Sequence, residues 1–391
     1  DRAASTTSRG AVPVAPTAVP GIGATRGEDD MASVVARDGE DVVELTVING
    51  PTLVLSPQSA ADLLRAQAPA GTRGAVETTD AGALVVKAQL GWPGLEAAAS
   101  RSATRGWMGE VALSAFKVLT GFQADAATLV ASMVTKKIDG KVVEGVYKLP
   151  PDWQPEALMK GTIRAAAVEP AEDGGPLLVL VHGTFVDTVS TFGKLWLQPD
   201  KVRTLFDRYK NRVYALDHPT VGKSPIGNAL ALVRALPAGA RLHLLTHSRG
   251  GLVAEVLARA CGGGVLGDDE LALFAADAYS DERQDLKALV AEAQVKGLRV
   301  ERMVRVACPA RGTTLASGRL DAYLSVLQWG LKLASVPVAP ELVDFLHEVA
   351  RRRADPTQLP GIEAMMPESA LVKWLDMGSV QIPGDLRVVA G

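Results

Sequence analysis

The sequence predicts an α/β protein built on a mainly parallel sheet, preceded by a small α+β region. One observation is a set of runs that are apolar on both faces, as buried parallel strands are. Four of these runs end at His182, Asp217, Ser248 and Cys308, and a fifth ends the chain at Gly391. The other observation is that helical patterns fill the intervals, because strand–helix alternation is typical of an open parallel sheet.

The chain contains 391 residues, enough for two or three domains of roughly 100–200 residues each. Residues 1–30 are rich in Ala, Pro, Gly, Ser and Thr, which indicates a flexible tail. Residues 31–137 predict a small α+β region of unassigned role, and residues 138–391 predict the sheet domain.

Short β-type runs punctuated by Gly, Pro and Asn define the strands expected in the first region. They cover residues 42–47, 52–55 and 83–86. A helix is expected from about Trp107 to Lys136. The sheet domain is expected to begin with strands at 142–149 and 161–168.

The spacing of the strand ends predicts where extra helices are inserted. His182 and Asp217 are 35 residues apart, and Asp217 and Ser248 are 31 apart, each the length of one βαβ unit. The two later gaps are longer, 60 residues to Cys308 and 83 from there to Gly391. Insertions after parallel strands border the ligand-binding edge of a sheet, so they are expected to be helical caps. They cover about 265–299 and 314–376.

Composition excludes several classes of function. Lys and Arg number 41 and Asp and Glu 44, a net charge of −3, which is not the basic excess of a nucleic-acid-binding protein. Charged and polar residues interrupt the apolar stretch 111–134, so a buried or amphipathic helix is expected rather than a membrane span. Cys261 and Cys308 cannot form a disulfide framework, which favours a reducing, cytoplasmic location. No metal-ligand spacing is present, and no cofactor is expected.

The most specific motif is the turn that follows the strand Leu242–Leu245. It reads Thr246-His247-Ser248-Arg249-Gly250-Gly251 and leads directly into a helical pattern. This is the nucleophile-elbow arrangement G-x-S-x-G, with Thr246 in the first glycine position. Gly250 and Gly251 let the following helix pack closely on the sheet. The alternative interpretation is an ordinary strand–helix turn with a capping serine.

Other segments, in the same order along the chain, resemble motifs of the α/β-hydrolase family, specifically its lipase and esterase branch. The resemblance extends from about Leu177 to Gly391. Residues 178–185 are similar to the His-Gly loop after the third strand, and residues 217–224 are similar to the loop after the fourth strand. Residues 307–313 are similar to the Thr-Pro-His-x-Gly-Thr loop after the sixth strand, and residues 366–371 are similar to the segment before the seventh strand. Cys308 and Ala310 replace the threonine and the histidine of the third of these motifs.

The resemblance implies roles for individual residues. Ser248 is the expected nucleophile, and the N–H of Arg249, which follows it, is one expected oxyanion donor. The second donor is expected from Thr184, with Phe185 as the alternative. His182 and Gly183 are expected to shape this loop, rather than His182 acting as the base.

The catalytic acid and base are not evident in the sequence. The family order is Ser, then Asp or Glu, then His, and the histidine after Ser248 is His347, inside the second insertion. We expect His347 to be a helix-surface residue and the acid and base to lie beyond Gly391. The alternative is an altered triad in which His218, at the end of the preceding strand, approaches Ser248.

The function expected from the resemblance is hydrolysis of ester or lipid-like acyl bonds through an acyl-enzyme at Ser248. One alternative is a catalytically silent module on the same fold, used for binding or regulation. Another is amide or peptide hydrolysis, since the fold does not determine the substrate. The expected partner is a small-molecule or lipid ester, with no nucleic acid and no integral membrane segment.

Overall fold

The computed structural model describes part of the chain, in two compact units. It describes residues 33–36, 41–47, 52–66, 83–85, 89–91, 110–119, 135–136, 138–152, 168–309, 321, 324–325, 328, 346–347, 349, 359–377 and 384–389. The predicted tail, 1–30, lies outside these residues, as does the strand predicted at 161–168 apart from Val168, which is not in a strand. The first unit contains the described residues up to Ala131 and those within 318–334 and 339–354; the rest form the second.

The first unit is built on antiparallel strands. They are β1 (Ser33–Val35), β2 (Val42–Val47), β3 (Thr52–Leu55), β4 (Ala83–Val85), β5 (Gln89–Gly91) and β6 (Glu110–Leu119), with one helix, α1 (Pro57–Ala66), after β3. Four strands form a sheet in the order β3-β2-β6-β5, and β1 pairs with β4. The predictions of β2, β3 and β4 are therefore confirmed, the last within one residue.

The helix predicted over Trp107–Lys136 is wrong at residues 110–119, whereas residues 135–136, at its end, are helical. Residues 110–119 form strand β6, which pairs antiparallel with both β2 and β5. Val43 pairs with Val118, and Leu45 pairs with Phe116. Partners distant in sequence therefore override the local helical pattern of this segment, as tertiary context commonly does.

Part of the predicted second insertion belongs to the first unit. The described residues of 318–354 are helical, and their polar side chains bond to the neighbourhood of β3. Asp321 Oδ2 accepts the Ser56 N–H at 2.9 Å, and Ser325 Oγ accepts the Val54 N–H at 2.9 Å. This insertion therefore completes the packing of the amino-terminal sheet.

The second unit alternates strands with helices. Its strands are β7 (Gly145–Lys148), β8 (Leu177–Val181), β9 (Val213–Asp217), β10 (Arg241–His247), β11 (Arg299–Val306) and β12 (Asp385–Val389). Its helices are α2 (Thr188–Phe192), α3 (Pro199–Arg208), α4 (Pro225–Ala235), α5 (Gly250–Cys261), α6 (Asp268–Ala272), α7 (Ser280–Val295), α8 (Pro360–Glu363) and α9 (Ala370–Asp376), with short 3-10 turns at Gly193–Leu197 and Asp277–Tyr279.

These strands form one sheet in the order β12-β11-β10-β8-β9-β7. Every neighbouring pair is parallel except β7 with β9, which is antiparallel. The prediction of one mainly parallel sheet is therefore confirmed. The strand predicted at 142–149 is β7, somewhat shorter than expected.

Helices cover both faces of the sheet, which explains the double-faced apolar runs. On β8, Val179 and Val181 pack into a core with α4, α5, α7 and α9. Leu178 and Leu180 point the other way, into a second core with α2 and α3. A strand with this period of two is buried along its whole length only when both faces are covered.

The segment 265–299 is more buried, and strand β12 is more exposed, than the sequence indicated. Residues 265–299, predicted as a cap insertion, contain α7, whose Leu286 and Leu289 are fully buried in the core that α4 and α5 also form. At the sheet edge, every residue of β12 is exposed. Within the described part of the chain, no helix combines the length and the apolar character needed to cross a membrane.

Candidate functional site

The candidate site lies at the carboxyl ends of β8, β9 and β10. From β8 the chain passes to β9 on one side and then crosses to β10 on the other, so β8 lies between them. Such a switch in direction leaves a crevice outside the carboxyl ends of the strands, where open α/β sheets bind ligands. His182 follows β8, His218 follows β9 and Ser248 follows β10.

Ser248 occupies a sharp turn between β10 and α5. Its φ is +50°, a left-handed conformation that is uncommon for residues other than glycine and signals local strain. The Ser248 N–H donates to Val306 O of β11 at 2.8 Å, and Ser248 O accepts the N–H of Gly251 at 2.9 Å. The turn is therefore fixed from both sides, and the serine side chain remains partly exposed.

Two glycines allow this turn to approach the strands beside it. A Cβ on Gly183 would lie 2.9 Å from Ser248 Cβ, and one on Gly250 would lie 2.6 Å from His182 O. Both distances are too short for real Cβ atoms. Gly251, next along α5, lies against Cys308 in the same way, at 2.7 Å from its Cβ. Small residues are therefore needed on both sides of the serine, as the sequence pattern predicted for 250 and 251.

The backbone N–H groups of Thr184 and Phe185, in the loop after β8, differ in their hydrogen bonds. Phe185 has a φ of +62°, and its N–H donates to Thr220 Oγ1 at 3.1 Å. The N–H of Thr184, by contrast, donates to no residue that the structure describes. Of the two residues expected from the sequence, Thr184 is therefore the one whose N–H is not already occupied. Its side chain is buried, with Oγ1 3.5 Å from Met365 Sδ.

The Arg249 side chain links the serine turn to two other loops. It is fully buried, and it donates through Nε to Gly361 O at 2.8 Å and through one terminal nitrogen to Lys223 O at 2.5 Å. Burying a guanidinium is costly unless its donors are satisfied. The sequence predicts a role for the Arg249 backbone alone, and no local signal indicates these long-range side-chain bonds.

His182 is held in one neutral form. Its Nε2 accepts the backbone N–H of His218 at 3.1 Å, and its Nδ1 lies 2.9 Å from Gly183 O. Because an amide N–H can only donate and a carbonyl can only accept, the ring proton is on Nδ1. Burial lowers the pKa of His182, although Asp217, 3.6 Å from Nε2, opposes this effect. These bonds fit the predicted role of shaping the loop.

His218 and His247 have buried ring nitrogens with no partner among the described residues, Nε2 in His218 and Nδ1 in His247. His218 stacks on His182, with ring centroids 4.0 Å apart, and its Nδ1 lies 3.3 Å from Leu216 O. Burial lowers the pKa of both rings, and the neighbouring His182 lowers it further.

None of the five histidines of the chain forms a hydrogen bond with Ser248 Oγ in the described residues. His347 belongs to the first unit, where its Nε2 lies 3.0 Å from Glu44 Oε1. His243 lies within β10, and its Nδ1 is 2.8 Å from the Tyr209 hydroxyl. Within the described ranges, the structure therefore brings the expected nucleophile next to the expected oxyanion loop, but no histidine there bonds to Ser248 Oγ.

Among the described residues, no group of three or more His, Cys, Asp or Glu is arranged to hold a metal ion. Cys261 and Cys308 are free thiols. Burial raises the pKa of each to about 12, so neither is a ready nucleophile near neutral pH.

A family model described as a domain of unknown function (DUF7379) matches residues 142–269, a range that includes β7 to β10 and the serine turn. No curated protein was found to match the sequence.

Proposed function

We propose that this chain is an α/β-hydrolase-fold serine hydrolase that cleaves ester or lipid-like acyl bonds through an acyl-enzyme at Ser248. The observation that carries the proposal is the conformation of Ser248, whose φ of +50° lies at a turn from a parallel strand directly into a helix. In a nucleophile elbow, this strained turn exposes the serine Oγ at the top of the sheet. Strain of this kind persists only where the surrounding structure enforces it.

The neighbouring loop supports the same proposal. Gly183 approaches Ser248 closely, which brings the free N–H of Thr184 into the neighbourhood of the serine. The second expected donor, the N–H of Arg249, belongs to the residue that directly precedes α5. Two preorganised N–H donors are what the tetrahedral intermediate of acyl transfer requires, and each contributes about 2.7–4 kcal/mol of transition-state stabilisation.

The chemistry follows from these groups. Ser248 Oγ adds to the acyl carbonyl carbon as a base removes its proton, and the carbonyl oxygen takes up the negative charge between Thr184 N–H and Arg249 N–H. The carbonyl re-forms, the alcohol leaves with a proton, and the acyl group stays on Ser248. Water then adds to this ester, which releases the acid and restores the serine.

The acid and the base of this scheme are not assigned. The prediction from the sequence that they lie beyond Gly391 stays a prediction. The lack of a described base at Ser248 favours the second candidate, a hydrolase-fold module that binds or regulates without catalysis. Amide or peptide hydrolysis at the same serine has no structural observation of its own to favour it.

A fluorophosphonate probe separates the first two candidates. We expect the full chain to be labelled on Ser248, located by peptide mass spectrometry, and the labelling to be lost in Ser248→Ala. Ser280→Ala is the matched control, because Ser280 begins α7 and its exposed hydroxyl donates to the neighbouring Asp281; this variant should still be labelled on Ser248. A folded chain that takes no label on Ser248 would favour the silent module.

A further inference from the structure

The loop after β9, residues 218–224, is held by the carboxylate of Asp139. Asp139 Oδ1 accepts the backbone N–H groups of Thr220 at 2.9 Å and Val221 at 3.1 Å, and Oδ2 accepts that of Gly222 at 2.7 Å. Three successive N–H groups around one anion form a backbone nest. Hydrogen bonds to an ionised acceptor are roughly twice as strong as neutral ones, so this carboxylate is a strong anchor for the loop.

The direction of β7 explains how Asp139 reaches this loop. Because β7 runs antiparallel to β9, Gly145 at its start pairs with Asp217 at the end of β9. The residues just before β7 therefore lie at the carboxyl edge of the sheet, where the candidate site is. Asp139 is held there by a turn in which its carbonyl accepts the Val142 N–H at 3.0 Å.

Thr220 connects this anchor to the predicted oxyanion loop. Its backbone N–H is held by Asp139, its side chain is almost completely buried, and its Oγ1 accepts the Phe185 N–H at 3.1 Å. Because this bond occupies the Phe185 N–H, that group is not available to a substrate, and the peptide group between Thr184 and Phe185 is fixed. The orientation of the Thr184 N–H is thereby tied to the position of Thr220.

We infer that Asp139 is a positioning residue for the reaction at Ser248, acting through Thr220 and Phe185 to set the direction of the Thr184 N–H. The inference rests on the proposed function, because it assigns Asp139 a part in preparing the oxyanion site. Asp139 touches neither Ser248 nor Thr184 in the hydrogen bonds described, so its effect passes through the loop.

Other bonds keep the loop in place when Asp139 changes. The Gly361 N–H donates to Val221 O at 2.9 Å, and Arg249 donates to Lys223 O at 2.5 Å. Replacing the Asp139 carboxylate is therefore expected to release Thr220 locally and not to unfold the loop.

The test uses the full chain and two independent measurements. Asp139→Asn removes the charge and one acceptor without a change in size, and Thr220→Val removes the hydroxyl that receives the Phe185 N–H. Glu144→Gln and Thr220→Ser are the controls. Glu144 pairs with Lys223 of the same loop at 2.5 Å but is not part of the nest, and serine keeps the acceptor oxygen. The readouts are fluorophosphonate labelling of Ser248 over a range of probe concentrations and hydrogen exchange of the Phe185 amide.

We expect Asp139→Asn and Thr220→Val to lower the limiting rate of labelling about tenfold or more, a share of what a lost oxyanion donor costs, with the half-saturating probe concentration unchanged. The Phe185 amide should exchange faster in both variants and as in the parent in both controls. The inference is overturned if Phe185 exchange is unchanged in Asp139→Asn, or if exchange accelerates while labelling does not slow. If the parent takes no label on Ser248, the proposed function fails, and Phe185 exchange still decides whether Asp139 holds the loop.

Discussion

His182 Nε2 accepts the backbone N–H of His218 at 3.1 Å, and the two imidazole rings stack with their centroids 4.0 Å apart. This contact joins the residue after β8 to the residue after β9, so it links the two loops on one side of Ser248. Both side chains are fully buried. Because protonation of His182 Nε2 would remove this acceptor, the link depends on a neutral His182.

Replacing His182 is expected to cost stability. In His182→Ala, the buried His218 N–H loses its acceptor and the ring leaves a cavity, so the free energy of unfolding should fall by about 2–4 kcal/mol. Urea unfolding at pH 7.5 measures this loss. Glu368→Ala is the control, because that carboxylate is 86% exposed in its pair with Lys373, and exposed pairs are worth about 1 kcal/mol or less. Equal losses in the two variants would contradict the prediction.

The stability of the second unit should fall in mild acid. Burial lowers the pKa values of His182, His218 and His247, so the unfolded chain binds more protons than the folded one below the ordinary histidine pKa of about 6.5. The stabilisation is complete above that pH and is lost as the pH falls toward the folded-state values, with a slope of up to about 1.4 kcal/mol per pH unit for each histidine.

Urea unfolding between about pH 5.5 and 7.5 tests this dependence. We expect a free energy of unfolding that decreases as the pH falls, and a shallower decrease in His218→Asn, which has one fewer buried imidazole to protonate. A free energy that stays constant or increases toward pH 5.5 would show that these rings accept protons without cost in the fold.

The buried ion pair of Arg259 and Glu270, in the second unit, should contribute more to stability than an exposed pair. Arg259 and Glu270 are 2.8 Å apart with 4% and 8% of their side chains exposed, and Trp374 Nε1 donates to the same Glu270 oxygen at 3.0 Å. Glu270→Ala leaves the guanidinium and the indole N–H buried without this acceptor. It should therefore lower the free energy of unfolding by about 3–5 kcal/mol.

The matched control for that variant is Glu292→Ala. It breaks the pair with Arg234, whose side chain is 60% exposed, and exposed pairs of this kind contribute about 0–1 kcal/mol. Urea unfolding of both variants gives the comparison. A loss at Glu270 no larger than that at Glu292 would mean that the buried charge finds other partners or water.

The sheet could be predicted from the sequence because its signal is local. A run such as Leu177–Val181 is apolar on both faces, and this pattern is retained whatever surrounds the strand. The segment 110–119 carried no such signal. It contains good helix formers such as Ala, Leu and Lys, and it is a strand because β2 and β5 pair with it. The described residues of 318–354 belong to the first unit through contacts with residues distant in sequence, so their place could not be predicted from a local pattern either.

In the candidate site, too, local features could be predicted and long-range contacts could not. Ser248 and its glycines follow one another in the chain, so the turn could be predicted. The bonds of Arg249 to Gly361 and of Asp139 to Thr220 join residues 112 and 81 positions apart. No local pattern indicates them, because each depends on which loops the sheet order brings together.

The close approach of Gly183 to Ser248 gives the last prediction. A methyl group on residue 183 would lie 2.9 Å from Ser248 Cβ and 3.2 Å from His247 O, so one of the two loops must move. Gly183→Ala should therefore slow fluorophosphonate labelling of Ser248 by about tenfold or more, because small displacements at a reacting centre are costly, while the circular dichroism spectrum stays unchanged. Gly263→Asn is the control: that position has a φ of +82° and open space around it, and asparagine tolerates such a φ. Labelling of Gly183→Ala at the parent rate would show that the approach of the two loops has no part in the reactivity of Ser248.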